Sequence, residues 1–140
     1  MTVHTYVHKV NYYETDKLGI THHSNYVRWM EEARLDFLKS IGFGLRKFEA
    51  QGVSSPVASI ECQYKRPTTF DDEIEIGVSV EKYNGVKLVF AYSMTNPATG
   101  TVVFTAKSTH CLLGEDGRPV AIKRRFPEFD IVLRSLMEKE

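Results

Sequence analysis

The chain has 140 residues, 42% of them hydrophobic and 26% charged, and its formal net charge is zero. That is the size and composition of one ordinary globular domain spanning residues 1–140, large enough to bury an independent core. No net positive field recruits nucleic acid or an anionic membrane, no segment approaches the ~20 apolar residues of a membrane span, and near-zero charge offers little resistance to self-association. Cys62 and Cys111 do not make a disulfide framework and read as reduced core thiols. The first residues carry no basic flank and no long apolar run, so a cytoplasmic location is the default expectation.

Residues 3–13, rich in Val, Tyr and His, predict a strand. From Ser24 the spacing turns helical: Tyr26, Met30, Ala33, Phe37 and Ile41 form one apolar stripe. Arg28, Glu31, Glu32, Asp36 and Lys39 lie mostly off it, as a solvated face, with Arg28 placed to meet Glu31 or Glu32. Ser24 is the expected N-cap and Gly42 or Gly44 the C-terminal stop, giving a long helix over about 24–41. A helical turn is expected around 45–51. Residues 53–65 form a candidate strand ending before Pro67. Residues 73–81 alternate strictly between Ile/Val and polar side chains, as a half-buried strand does. Asn84-Gly85 then predicts a type I′ hairpin turn into a return strand over 87–95. Asn96 to Gly100 turns into a strand over 101–113, residues 115–119 turn again, and 127–137 form a short helix.

This order, one strand, one helix and then four strands, is that of an α+β domain. A single long helix with an apolar stripe needs a cover, and a five-stranded antiparallel sheet wrapped around one long central helix is the economical solution.

The chemistry concentrates in the loop from Tyr12 to Tyr26. Asp16 reads either as a general base or nucleophile toward an activated acyl group, or as a loop aspartate that stabilises a turn. Gly19 allows a sharp turn or a close approach to ligand. The helix start presents unpaired backbone N–H groups and the positive end of the dipole, which suits an oxyanion. His23 stands at that threshold, where its backbone N–H is available and its imidazole is free to cap or pack. Adjacent His22 and His23, without a Cys/His/Glu cluster at ligand spacing, do not make a metal site. Tyr26 and Trp29 read as core or interface aromatics. There is no Gly-x-Ser-x-Gly elbow, no P-loop and no dinucleotide glycine motif. Lys123-Arg124-Arg125 is a short, solvated basic run that could meet a phosphate.

The stretch from Tyr13 to Arg34 (YETDKLGITHHSNYVRWMEEAR) resembles the signature of hotdog-fold acyl-CoA thioesterases of the 4-hydroxybenzoyl-CoA thioesterase type, including the bacterial branch associated with the Tol-Pal cluster. Tyr64-Lys65-Arg66-Pro67 with Phe70 to Ile74, and Asp116 to Pro119, resemble two further landmarks. The resemblance implies a hotdog fold, hydrolysis of acyl-CoA to free acid and CoA, no cofactor beyond the CoA of the substrate, and a homo-oligomer, dimer or tetramer. It matches Asp16 to the catalytic carboxylate and His23 to the position whose backbone N–H polarises the thioester carbonyl. Gly19 and Tyr26 fall in the same motif as substrate-binding positions, and Glu31 matches a carboxylate facing the far end of the acyl group from a neighbouring subunit. Arg66 and Lys87 are expected CoA contacts. The alternatives are an acyl-carrier-protein thioesterase and a non-catalytic acyl-CoA-binding hotdog domain.

Overall fold

A computed structural model describes residues 2–138. Five antiparallel strands, β1 (His4–Lys9), β2 (Val57–Tyr64), β3 (Glu73–Tyr83), β4 (Lys87–Asn96) and β5 (Thr101–Cys111), form one sheet in the order β1-β3-β4-β5-β2. The helices are α1 (Ser24–Ser40), α2 (Leu45–Glu49), α3 (Ile122–Arg125) and α4 (Pro127–Glu138). The α+β expectation holds, but the strands after α1 do not pair in chain order. β2 lies at the far edge against β5, and residues 65–72 carry the chain back across to β3.

The alternation read in the sequence sets the covered face. Ile74, Ile76, Val78 and Val80 of β3 and Leu88, Phe90, Tyr92 and Met94 of β4 are all buried on it. A register shift between Val80 and Lys82 resets the phase, so Tyr83 becomes the next buried residue. Trp29, Met30, Ala33, Phe37 and Leu38 of α1 pack in the same core. α1 has 17 residues, about 25 Å of helix. It does not serve as the one long central helix expected. α4 also packs on the sheet side, with Phe129 and Leu133 buried beside Phe43 and Phe48 of the α1–α2 region, so the cover is shared.

Several local expectations are corrected. The first strand stops at Lys9, because Asn11 and Glu14 form a capping box around a 3-10 turn over Tyr12–Glu14. α1 begins at Ser24 itself, so the N-cap position falls one residue earlier than expected, at His23. The His22 ring takes over part of the capping work, its Nδ1 accepting from the Ser24 backbone N–H at 3.2 Å and lying 2.9 Å from the Ser24 hydroxyl. The hairpin at Asn84-Gly85 exists but is not type I′, since Gly85 alone takes a positive φ (100°) there. Asn84 instead accepts backbone N–H bonds from Val86 and Lys87 on its side-chain oxygen. Glu32 is not simply solvated: it accepts from the Tyr6 hydroxyl and lies 3.0 Å from His8 Nδ1. Arg28 has no ion pair among the described residues, whereas Arg34, buried, lies 3.9 Å from Glu31.

Candidate active site

The loop from Thr15 to Thr21 is closed by its own backbone. Asp16 N–H donates to the Ile20 carbonyl at 2.8 Å, and Gly19 N–H returns to the Asp16 carbonyl at 3.0 Å. Gly19 takes φ +83°, a conformation other residues adopt only with strain; its α-carbon faces open space, so the backbone angle is what requires glycine there. The Asp16 carboxylate accepts from the Leu18 N–H at 2.8 Å, the turn-stabilising contact typical of aspartate. That bond uses Oδ1, and Oδ2 has no partner among the described residues.

The returning connection 65–72 backs this loop. Thr21 N–H donates to the Thr68 carbonyl at 2.8 Å, the Thr21 and Thr68 hydroxyls lie 2.6 Å apart, and the Thr69 hydroxyl donates to the Gly19 carbonyl at 2.8 Å. Tyr26 is buried, with its hydroxyl 2.9 Å from that of Thr68 and its ring stacked on Phe104 at 4.9 Å. Burial raises its hydroxyl pKa although the Thr68 bonds oppose the shift, so it stays a neutral wall residue.

A depression of about 340 Å³ opens where the start of α1 meets the end of β2. His23, Tyr26, Tyr64 and Arg66 line it, together with Ile20 and Thr21 from the Asp16 loop. The His23 backbone N–H has no acceptor among the described residues. Its carbonyl accepts from the Tyr64 hydroxyl at 3.0 Å, and the exposed His23 ring packs against His22 at 4.4 Å rather than binding a carboxylate. Among the described residues no cluster of His, Cys, Asp or Glu is arranged to hold a metal, and no helix is long and apolar enough to cross a membrane.

The other expected site residues are dispersed. Glu31 lies two turns further along α1, in a separate crevice of about 110 Å³ between α1 and β2 that Arg34 also lines. Lys87 lines a cavity with Lys107 and Glu81, separate from the depression holding His23. Within one chain it therefore does not join Arg66.

Glu14 and Asn25 went unassigned in the sequence reading, yet both are buried and hold the loop. The Glu14 carboxylate accepts from the Asn11 N–H, lies 2.9 Å from His8 Nε2 and accepts from the Trp29 indole N–H at 2.9 Å. Burial alone would raise the Glu14 pKa, but these hydrogen bonds to its ionised form lower it. The local signal existed, since Asn-x-x-Glu is a capping box.

The fold is thus a five-stranded antiparallel sheet covered by helices, with the Asp16 loop leading into the N-terminus of α1. The family profile described as the Thioesterase-like superfamily matches residues 10–135, and the chain belongs to that superfamily. It is 38% identical over 122 residues to a Bacillus subtilis protein named "Putative acyl-CoA thioesterase YneP", covering 86% of this chain and 88% of that one. It is 31% identical over 88 residues to the Escherichia coli "Acyl-CoA thioester hydrolase YbgC", covering 63% and 66%. Among solved structures, a Staphylococcus aureus DHNA-CoA thioesterase superposes with a TM-score of 0.91 at 30% identity over 96% of this chain and 91% of that one.

Proposed function

We propose that this chain is an acyl-CoA thioesterase that hydrolyses its substrate in the depression at the start of α1. The observation that carries the reading is the His23 backbone N–H, which has no acceptor among the described residues and stands at a helix N-terminus beside the loop of Asp16. Kinship with proteins named acyl-CoA thioesterases supports the same activity.

The thioester carbonyl oxygen accepts from the His23 N–H, and the helix dipole stabilises the negative charge that develops on it. Removing one such donor typically costs roughly 2.7–4 kcal/mol. Asp16 Oδ2 takes a proton from water as the water oxygen bonds to the acyl carbon. Alternatively it attacks that carbon itself, giving a mixed anhydride that water then opens. In both routes the C–S bond breaks and the proton ends on the CoA thiolate. A thioester is already activated, so no cofactor enters the scheme. The exposed Lys65 and Arg66 offer positive charge to CoA phosphates at the mouth of the depression. The motif resemblance to the 4-hydroxybenzoyl-CoA type, with its Tol-Pal-associated branch, supplies this template but does not specify the acyl group.

The working unit we propose is a homo-oligomer, dimer or tetramer, built on β2. This edge strand is exposed along nearly its whole length and presents Val57, Ile60 and Tyr64. Such an edge invites pairing with a second copy. Glu31 and Lys87 would then meet the site from a neighbouring subunit.

The test is thiol release, followed with a thiol reagent, from acetyl-, hexanoyl-, palmitoyl- and benzoyl-CoA. Turnover of at least one ester is expected. Survival of all four during prolonged incubation with pure protein would overturn the acyl-CoA thioesterase reading and leave an acyl-carrier-protein thioesterase or a non-catalytic acyl-CoA-binding domain.

A further inference from the structure

Thr68 and Thr69 back the Asp16 loop, and one further residue, Glu14, joins its two ends. The Glu14 backbone carbonyl accepts from the His22 N–H at 2.8 Å and from the Asn25 side-chain amide at 2.9 Å. These bonds close the loop between Glu14 and His22, and Asp16 and His23 sit just inside and just outside its two ends. The Glu14 side chain points the other way, into the core. Its Oε1 accepts from the Asn11 N–H at 2.8 Å and lies 2.9 Å from His8 Nε2, while Oε2 accepts from Trp29 Nε1 at 2.9 Å. One buried residue, 5% exposed, thus joins β1, the 3-10 turn, both ends of the loop and the second turn of α1.

We infer, on the thioesterase reading above, that Glu14 is the positioning residue of this site: its clasp sets where Asp16 stands relative to the His23 N–H. The two catalytic groups share no hydrogen bond of their own among the described residues. Their separation is transmitted through the Glu14 carbonyl on one side and the Glu14 carboxylate, through Trp29 of α1, on the other. A carboxylate is suited to this place because every neighbour it meets can donate. A glutamine there would turn an N–H₂ group toward Asn11, His8 or Trp29 and force the clasp to shift. Misplacement of reacting groups by about 1 Å can cost as much as 100-fold in rate.

The experiment compares kcat and KM of the full-length wild type, Glu14→Gln and Asn25→Ala, with hexanoyl-CoA and benzoyl-CoA as probes. Leu133→Ala serves as a control that loses stability in the α4 layer, remote from the clasp. Trp29 is the chain's one tryptophan, so its emission reports the Glu14 contact directly. We expect Glu14→Gln to shift that emission and to lower kcat about 10- to 100-fold with KM within about twofold. Asn25→Ala, which removes half of the carbonyl clasp, should show a smaller loss of the same kind. Leu133→Ala should keep its kcat per folded molecule. Wild-type kcat in Glu14→Gln with a shifted Trp29 emission would overturn the positioning role, as would an equal loss in Leu133→Ala. If Glu14→Gln does not fold, Asn25→Ala decides by the same kcat criterion. A wild type that hydrolyses none of the four esters named above would overturn the thioesterase reading itself, and the inference with it.

Discussion

The Tyr64 hydroxyl donates to the His23 carbonyl at 3.0 Å. This bond ties the sheet's exposed edge to the residue that opens α1. The end of the edge strand and the proposed oxyanion donor are therefore directly linked.

Tyr64→Phe should loosen that tie without emptying the depression. The ring remains against Tyr26 and Phe104, with centroids 5.3 and 5.0 Å away. Loss of one partly exposed hydrogen bond should cost about 1 kcal/mol of stability. The orientation of the first helical turn should suffer more, with kcat/KM falling about 5- to 10-fold. Steady-state kinetics beside a urea titration separates the two effects, and unchanged kinetics would show that β2 does not hold the helix start.

Asp16→Asn keeps the side-chain oxygen that accepts from Leu18, so the turn should survive and the unfolding midpoint should barely move. The variant loses the basic, nucleophilic oxygen. A fall in kcat of about 100- to 10,000-fold is expected. Full activity in a folded Asp16→Asn protein would leave Asp16 with its turn-forming role alone.

What was legible in the sequence is what local chemistry decides. The alternation in 73–81 named the buried face of β3, Gly42 with its φ of +87° ended α1 as a stop signal should, and Asp16 to Gly19 made its turn. Turn type and cap position missed by a residue, because Asn84 and His22 satisfied backbone groups with side chains that sequence spacing does not orient. The crossover of β2 was hidden because its pairing with β5 depends on the whole sheet. The Arg34–Tyr92 bond joins residues 58 apart, and no periodicity reports such a pair. Lys87 and Glu31 carry the charges that the resemblance calls for, but within one chain they line separate cavities, a placement that local spacing does not report.

Ile60 tests the proposed second subunit. It is 39% exposed on the edge strand and lines the crevice with Arg34. Ile60→Lys places a charge where an edge-to-edge contact would bury it, a standard way to block strand pairing. Size-exclusion chromatography with light scattering should show the wild type as a dimer or larger and the variant as a monomer, with activity reduced. A monomeric wild type would remove the oligomer from the proposal.

His110 gives the protein a pH dependence of calculable sign. It is 2% exposed on β5, and Nε2 lies 2.6 Å from the Ser108 hydroxyl, which is itself 2.6 Å from that of Tyr92. Arg34 donates to Tyr92 at 3.1 Å and offers no acceptor in return, so Tyr92 donates onward to Ser108 and Ser108 to His110. Nδ1, buried and without a hydrogen-bond partner among the described residues, then carries the imidazole proton. Burial, and then the Arg34 charge, push the His110 pKa down from 6.5 to about 4. Between those values the unfolded chain binds a proton that the folded chain refuses. Stability contributed by neutral His110 is therefore fully present above about pH 6.5, declines as pH falls and is gone below about pH 4. From pH 7.5 to pH 5 the loss should be about 2 kcal/mol. Urea titrations at those two pH values should show that loss in the wild type, and His110→Gln should flatten it by the same amount. An equal slope in both proteins would mean that other groups govern the pH response.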